Sequence, residues 1–60
     1  MAVYVSQVIQ DYEAANPDEM SLHIGDKISI SCVFADGWGQ GKNETTDETG
    51  LFPVVCVSSI

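Results

Sequence analysis

The chain has 60 residues, with Lys+Arg 2 against Asp+Glu 9, a formal net charge of -7 and 45% hydrophobic residues. It makes one small domain at most: it is too apolar for a disordered acidic tail, and too short for a second core or for an enzyme that must wall its own pocket. Two lysines and no arginine cannot neutralise a row of phosphates, so DNA, RNA and direct membrane binding are set aside and basic ligands are favoured.

The first apolar run, Val3 to Ile9, is rich in β-branched residues and reads as a strand. Asp11 to Met20 carries Asn16-Pro17-Asp18 at its centre. A residue before proline is pushed out of the helical region and aspartate favours turns, so this segment reads as a long loop or an irregular hairpin tip. Met20-Ser21-Leu22 alternates apolar and polar, and Gly25-Asp26 is a turn signal. Ile28 to Val33 alternates again and is the clearest strand. Ala35-Asp36-Gly37 is a second turn, followed by a short strand from Trp38 to Lys42. Asn43 to Gly50 is polar and reads as a hairpin tip with strand shoulders. Leu51-Phe52 runs into Pro53, which cannot donate to a ladder and so marks a strand end or edge; Val54 to Ile60 closes the chain. No stretch holds helical spacing over three turns, and no apolar run approaches the ~20 residues that span a bilayer. About five short strands result, and a sheet this small hides its edges by curling into a barrel.

Val8, Met20, Leu22, Ile28, Ile30, Phe52 and Val57 are the expected core. Cys32 and Cys56, with no Cys-x-x-Cys pair, read as reduced thiols of an intracellular protein, with a single bridge as the alternative. His23 follows Leu22 in a turn, with no nucleophile and acid set around it, and reads as a surface residue. Asp18-Glu19 offers too few ligands for Ca²⁺ or Zn²⁺, so neither a metal nor a cofactor is expected. Asn43-Glu44-Thr45 fits the N-glycosylation pattern but is set aside, because free thiols argue against export.

From Ser6 to Ile60 these residues resemble an SH3 domain. Val8-Ile9-Gln10-Asp11-Tyr12 is similar to the family's Ala-Leu-Tyr-Asp-Tyr opening, and Asp18-Glu19-Met20-Ser21-Leu22 to its Asp-Glu-Leu-Ser-Phe segment. Gly25-Asp26, Gly37-Trp38 and Gly50-Leu51-Phe52-Pro53 match a turn, the entry to the third strand and the run before a short final turn. Each piece is weak alone; five in order at the right separations are strong. The resemblance implies an all-β, five-stranded SH3-type barrel with one short 3₁₀ turn over residues 6–60. Residues 1–5 would be an N-terminal extension, native or added for expression. Gln10, together with Phe52-Pro53-Val54-Val55-Cys56-Val57, resembles a fungal subgroup found in membrane-anchored or cortical proteins of cell polarity and cell fusion. That implies a cytoplasmic location, at the cell cortex or on the cytoplasmic side of a membrane-anchored parent.

SH3 domains bind proline-rich segments as polyproline II helices, which are partly preformed and lose little entropy on docking. By the resemblance, Tyr12, Trp38 and Pro53 stand at ligand-contact positions and are of the right type. Tyr12 would offer its hydroxyl to a ligand carbonyl, and Trp38 would separate a proline slot from an acidic pocket. Gln10 and Cys56 replace two tyrosines that normally wall one slot, and Val55 replaces an asparagine that bonds the ligand backbone. That erosion implies non-consensus recognition, with Gln10 favouring Ser/Thr or Asn in the ligand. Glu19 holds the position most often paired with a ligand arginine; Glu13, Asp18 and Asp36 are the further candidates for the acidic specificity pocket. Glu44, Asp47 and Glu48 belong to the distal hairpin, away from the ligand face. Gly41 stands where a core valine is common, and Phe52 is expected to fill the space it leaves. The expected function is a monomeric, non-catalytic module for basic, proline-containing peptide segments. The alternative is a structural module that docks on a folded partner without using the groove.

Overall fold

The computed structural model describes residues 4–58. Four antiparallel strands, β1 (Tyr4–Gln7), β2 (Lys27–Val33), β3 (Trp38–Asn43) and β4 (Glu48–Pro53), follow one another across a single unclosed sheet, and Val54–Cys56 forms a 3₁₀ turn. The architecture is all-β as expected, with four strands among the described residues where the sequence suggested about five. Residues 54–56 wind into the turn, and among the described residues the segment after it pairs with the start of the chain through the isolated bridge Val8 to Val57. Tyr4 and Val5, expected in an extension, are the first residues of β1, paired with Ile30 and Ser29. Met1 to Val3 and the last two residues lie outside the described chain.

Strand β2 shows why the sequence folds this way. Ile28 and Ile30 are buried and alternate with more exposed neighbours, as a half-buried strand requires. A register shift between Ile30 and Cys32 then breaks the alternation, and Ser31, Cys32 and Val33 all lie exposed. An extra residue in one strand bends it and raises its twist, turning the end of β2 toward the loop that carries Phe34 and Asp36. All seven expected core residues are buried, and Cys56 joins them.

Two features anchor the loops. Asp26 and Asn43 are buried polar residues, and the Asn43 amide donates to Asp26 Oδ2 at 2.8 Å. Asn43 Oδ1 accepts the N–H groups of Thr45 (2.9 Å) and Thr46 (3.2 Å), while Asp26 Oδ2 accepts the His23 N–H at 3.1 Å. One buried amide thus ties the turn before β2 to the β3–β4 hairpin. It also takes Asn43 out of reach of a glycosyl group. The second anchor is Gly50, at φ 153, where a Cβ would lie 2.8 Å from the Asp18 carbonyl oxygen. Only a residue without a side chain lets the long loop approach this closely. There Met20 N–H donates to Leu51 O and Leu51 N–H donates to Asp18 O, both at 2.9 Å, which sets Glu19 beside Leu51.

Phe52 does fill space left by a glycine, but the glycine is Gly39. The two face each other in the β3–β4 register, and a Cβ on Gly39 would sit 2.8 Å from Phe52 Cζ. At Gly41 an added Cβ would run into the backbone carbonyl of Ser29. Gly41 pairs with Ile30 in β2 and Gly50 in β4, so strand backbone and not the Phe52 ring lies beside it.

Candidate functional site

Glu19, Phe34, Asp36, Trp38 and Leu51 line an open cleft of about 320 Å³. Each element delivers one wall. The loop docked at Gly50 supplies Glu19, β4 supplies Leu51, and the β2–β3 turn supplies Phe34 and Asp36. That turn is closed by Phe34 N–H donating to Trp38 O at 2.7 Å, and Asp36 Oδ1 accepts the Trp38 backbone N–H at 3.2 Å. Trp38 is half-buried and lies opposite Pro53 in the register, so proline and indole adjoin. The Tyr12 ring meets the Trp38 ring edge-on, with centroids 6.2 Å apart and planes at 79°. Such an edge-to-face pair is attractive through the ring quadrupoles and orients the two rings against each other.

The two acids of the cleft differ in how they are held. Glu19 Oε1 accepts the Tyr12 hydroxyl at 2.5 Å and the Ala15 N–H at 2.8 Å, while Oε2 accepts the Asn16 side-chain amide at 2.8 Å. These donors, the phenol foremost, hold the Glu19 carboxyl below its ordinary range. The same bond, reinforced by desolvation and the glutamate charge, pushes the Tyr12 phenol up to about 12. Asp36 is exposed, and the Trp38 N–H is its sole hydrogen-bond donor among the described residues. Neither lysine lines the cleft, and Lys42 is paired with Asp47 at 3.0 Å on the β3–β4 hairpin.

Of the residues expected from sequence, Tyr12, Trp38, Pro53, Glu19 and Asp36 come together. Glu13 does not join them; it lines a separate depression with Asp11, Tyr12, Leu22 and His23. The Asp18 side chain is exposed outside the cleft, and its carbonyl serves as an acceptor for β4. Gln10 is exposed beside the 3₁₀ turn, where its N–H donates to Cys56 O at 3.3 Å. Val55 is 72% exposed. Cys56 is 2% exposed and belongs to the core, so its thiol presents no wall to a ligand. Burial raises that thiol above its ordinary range. Both cysteines are free, Cys32 on the surface and Cys56 inside. Sequence reading missed Phe34 and Leu51. Phe34 had a signal, an aromatic residue immediately before a turn; Leu51 had none, lying in an apolar run that continues into the core.

The SH3 domain family model matches residues 7–54. BEM1-interacting protein 2 of Saccharomyces cerevisiae is 38% identical over 55 residues, covering 87% of this chain and 5% of that protein. The chain spans between 5% and 8% of the length of the curated relatives it matches. Among solved structures, the SH3 domain of yeast NBP2 is 36% identical with a TM-score of 0.83, covering 93% of this chain and 95% of that one. The C-terminal SH3 domain of myosin IB from Entamoeba histolytica, bound to a peptide described as EhFP10(GEF), is 28% identical with a TM-score of 0.85, covering 100% and 97%.

Proposed function

The chain belongs to the SH3 domain family, and from that premise we propose that it recruits basic, proline-containing peptide segments of partner proteins. SH3 domains are non-catalytic interaction modules, and the myosin IB relative is itself bound to a peptide. The observation that carries the reading is the cleft: two aromatic rings and a leucine beside two carboxylates on an otherwise acidic domain. A polyproline II helix has three residues per turn, so it sets prolines on one side against Trp38, Tyr12 and Pro53. A flanking arginine or lysine then reaches the acids.

The specificity is non-consensus. One proline slot lacks its aromatic walls, because Gln10 is polar and exposed while Cys56 has withdrawn into the core. Each lost aromatic contact is worth on the order of 1 kcal/mol. The Val55 side chain cannot hydrogen-bond a ligand backbone, and Gln10 instead favours Ser/Thr or Asn in the ligand. The domain acts as a monomer in the cytoplasm, at the cell cortex; fungal relatives and two unbridged cysteines support that reading.

The test is titration of basic peptides, with and without Pro-x-x-Pro, against wild type and Trp38→Ala. Binding weakened at least about ten-fold in Trp38→Ala is expected for a central aromatic anchor. Equal binding by the variant, or no binding by any peptide, overturns the reading in favour of a module that docks on a folded partner.

A further inference from the structure

The two carboxylates of the cleft are not equivalent receptors. A guanidinium binds best when it lays two parallel N–H groups on two acceptor oxygens of one carboxylate. An ionised carboxylate offers about four acceptor positions. On Glu19 three are taken, by the Tyr12 hydroxyl, the Ala15 N–H and the Asn16 amide, and both oxygens are engaged. A fork approaching Glu19 would have to displace a donor that holds the loop. On Asp36 one position is taken, by the Trp38 N–H, and among the described residues Oδ2 has no donor at all. Asp36 also stands in the same cleft as the Phe34 and Trp38 rings, which can lie against the cation.

We propose that Asp36, and not Glu19, receives the cationic side chain of the ligand, while Glu19 is a positioning residue that holds the loop and the Tyr12 hydroxyl. This rests on the peptide-binding reading and assigns the charge recognition within it. It has a consequence at Tyr12. The hydroxyl proton is committed to Glu19, so the phenol oxygen meets the ligand as an acceptor, not as the donor to a ligand carbonyl that the sequence suggested. A ligand N–H or side-chain donor fits there, and a proline, which has no N–H, does not supply one.

A chemical double-mutant cycle tests the assignment. The probe is a fluorescein-labelled peptide with one arginine flanking a Pro-x-x-Pro core, paired with the same peptide carrying citrulline, which keeps the shape and loses the charge. Wild type should prefer the arginine peptide by about ten-fold, as a charge-assisted hydrogen bond implies. In Asp36→Asn, whose amide oxygen can still accept the Trp38 N–H, the preference should vanish. In Glu19→Gln it should persist within about two-fold. Glu19→Gln should instead move the Tyr12 phenol, followed by its ultraviolet absorbance, from about 12 toward its ordinary 10. A loop merely loosened in binding would leave that titration unmoved.

Preference lost in Glu19→Gln and kept in Asp36→Asn overturns the proposal. A second probe separates it from the peptide reading. L-argininamide alone should perturb the Trp38 indole resonance in wild type and not in Asp36→Asn. That result with no peptide bound would refute the peptide reading and uphold Asp36. No perturbation in wild type, with no preference between the peptides, refutes both.

Discussion

Replacing Gly39 by alanine should destabilise the domain by about 1–3 kcal/mol, the usual range for an extra carbon forced into a packed core. Gly39 is buried and faces Phe52 across the β3–β4 ladder. Its added Cβ would lie 2.8 Å from Phe52 Cζ, 3.2 Å from Cε1 and 3.2 Å from Val54 Cγ1. Carbon atoms settle near ~3.5–4.0 Å, so the ring must retreat by roughly 0.7 Å or more. Phe52 is fully buried, and its retreat pushes on the rest of the core. Small domains of this kind hold only about 3–5 kcal/mol, so the loss is a large share of the whole. With a urea dependence of about 1 kcal/mol per molar, the midpoint should fall by about 1–3 M. Phe52→Leu removes the ring atoms that the new Cβ strikes. The double variant should therefore be more stable than the sum of the single effects by about 0.5–3 kcal/mol. Gly41→Ala is the control: its Cβ meets the Ser29 carbonyl, so Phe52→Leu should give it no relief. Urea unfolding followed by circular dichroism reads all five variants. A neutral Gly39→Ala, or strict additivity with Phe52→Leu, refutes the account of how Phe52 is accommodated.

The remaining predictions probe the buried amide, the thiols and the loop. Asn43→Ala strips Asp26 of a donor and leaves two hairpin N–H groups without their acceptor, so urea unfolding should show a loss near the upper end of about 1–3 kcal/mol. With a thiol-reactive chromogen, native protein should show one fast thiol, abolished by Cys32→Ser; Cys56 should react only as the domain unfolds, because burial both hides it and disfavours its thiolate. Glu19 has a carboxyl depressed in the fold, so its contribution to stability is full above the unfolded value near 4.5 and is lost as pH falls through the lower folded value. The Ala15 amide proton, bonded to that carboxylate, should therefore shift in an NMR titration with a midpoint below 4.5; a midpoint at or above it contradicts the bond. Tyr12 is perturbed the other way, so its contribution is full below 10 and is lost as pH rises toward about 12.

The sequence made the core legible because strand periodicity and burial are one signal: Ile28 and Ile30 alternate, and both are inside. Tyr12, Trp38 and Pro53 were legible for another reason. The resemblance to SH3 domains set them together as ligand-contact positions, and the structure brings the three side by side. What periodicity could not show was contact across the chain. Asn43 read as part of a polar hairpin tip, yet it is fully buried, because its partner Asp26 is distant in sequence and only the fold brings them together. Gly39 and Gly41 sit two residues apart on the same strand; the β3–β4 register, which no local pattern announces, sets Gly39 opposite Phe52 and Gly41 opposite Gly50.

The acids carry the same lesson into function. Sequence ranked Glu19 above Asp36 by position, since position counts charges and not hydrogen bonds. The structure ranks them by what each oxygen is already doing. A carboxylate that closes its own loop contributes field to the cleft, but it has little geometry left to offer a ligand. An exposed carboxylate holding a single backbone N–H has that geometry intact. Charge near a site attracts a basic partner; acceptor positions not taken by protein donors are the ones a ligand can use. On the proposed assignment those two roles fall on different residues, and that division separates the effect of Glu19→Gln from that of Asp36→Asn.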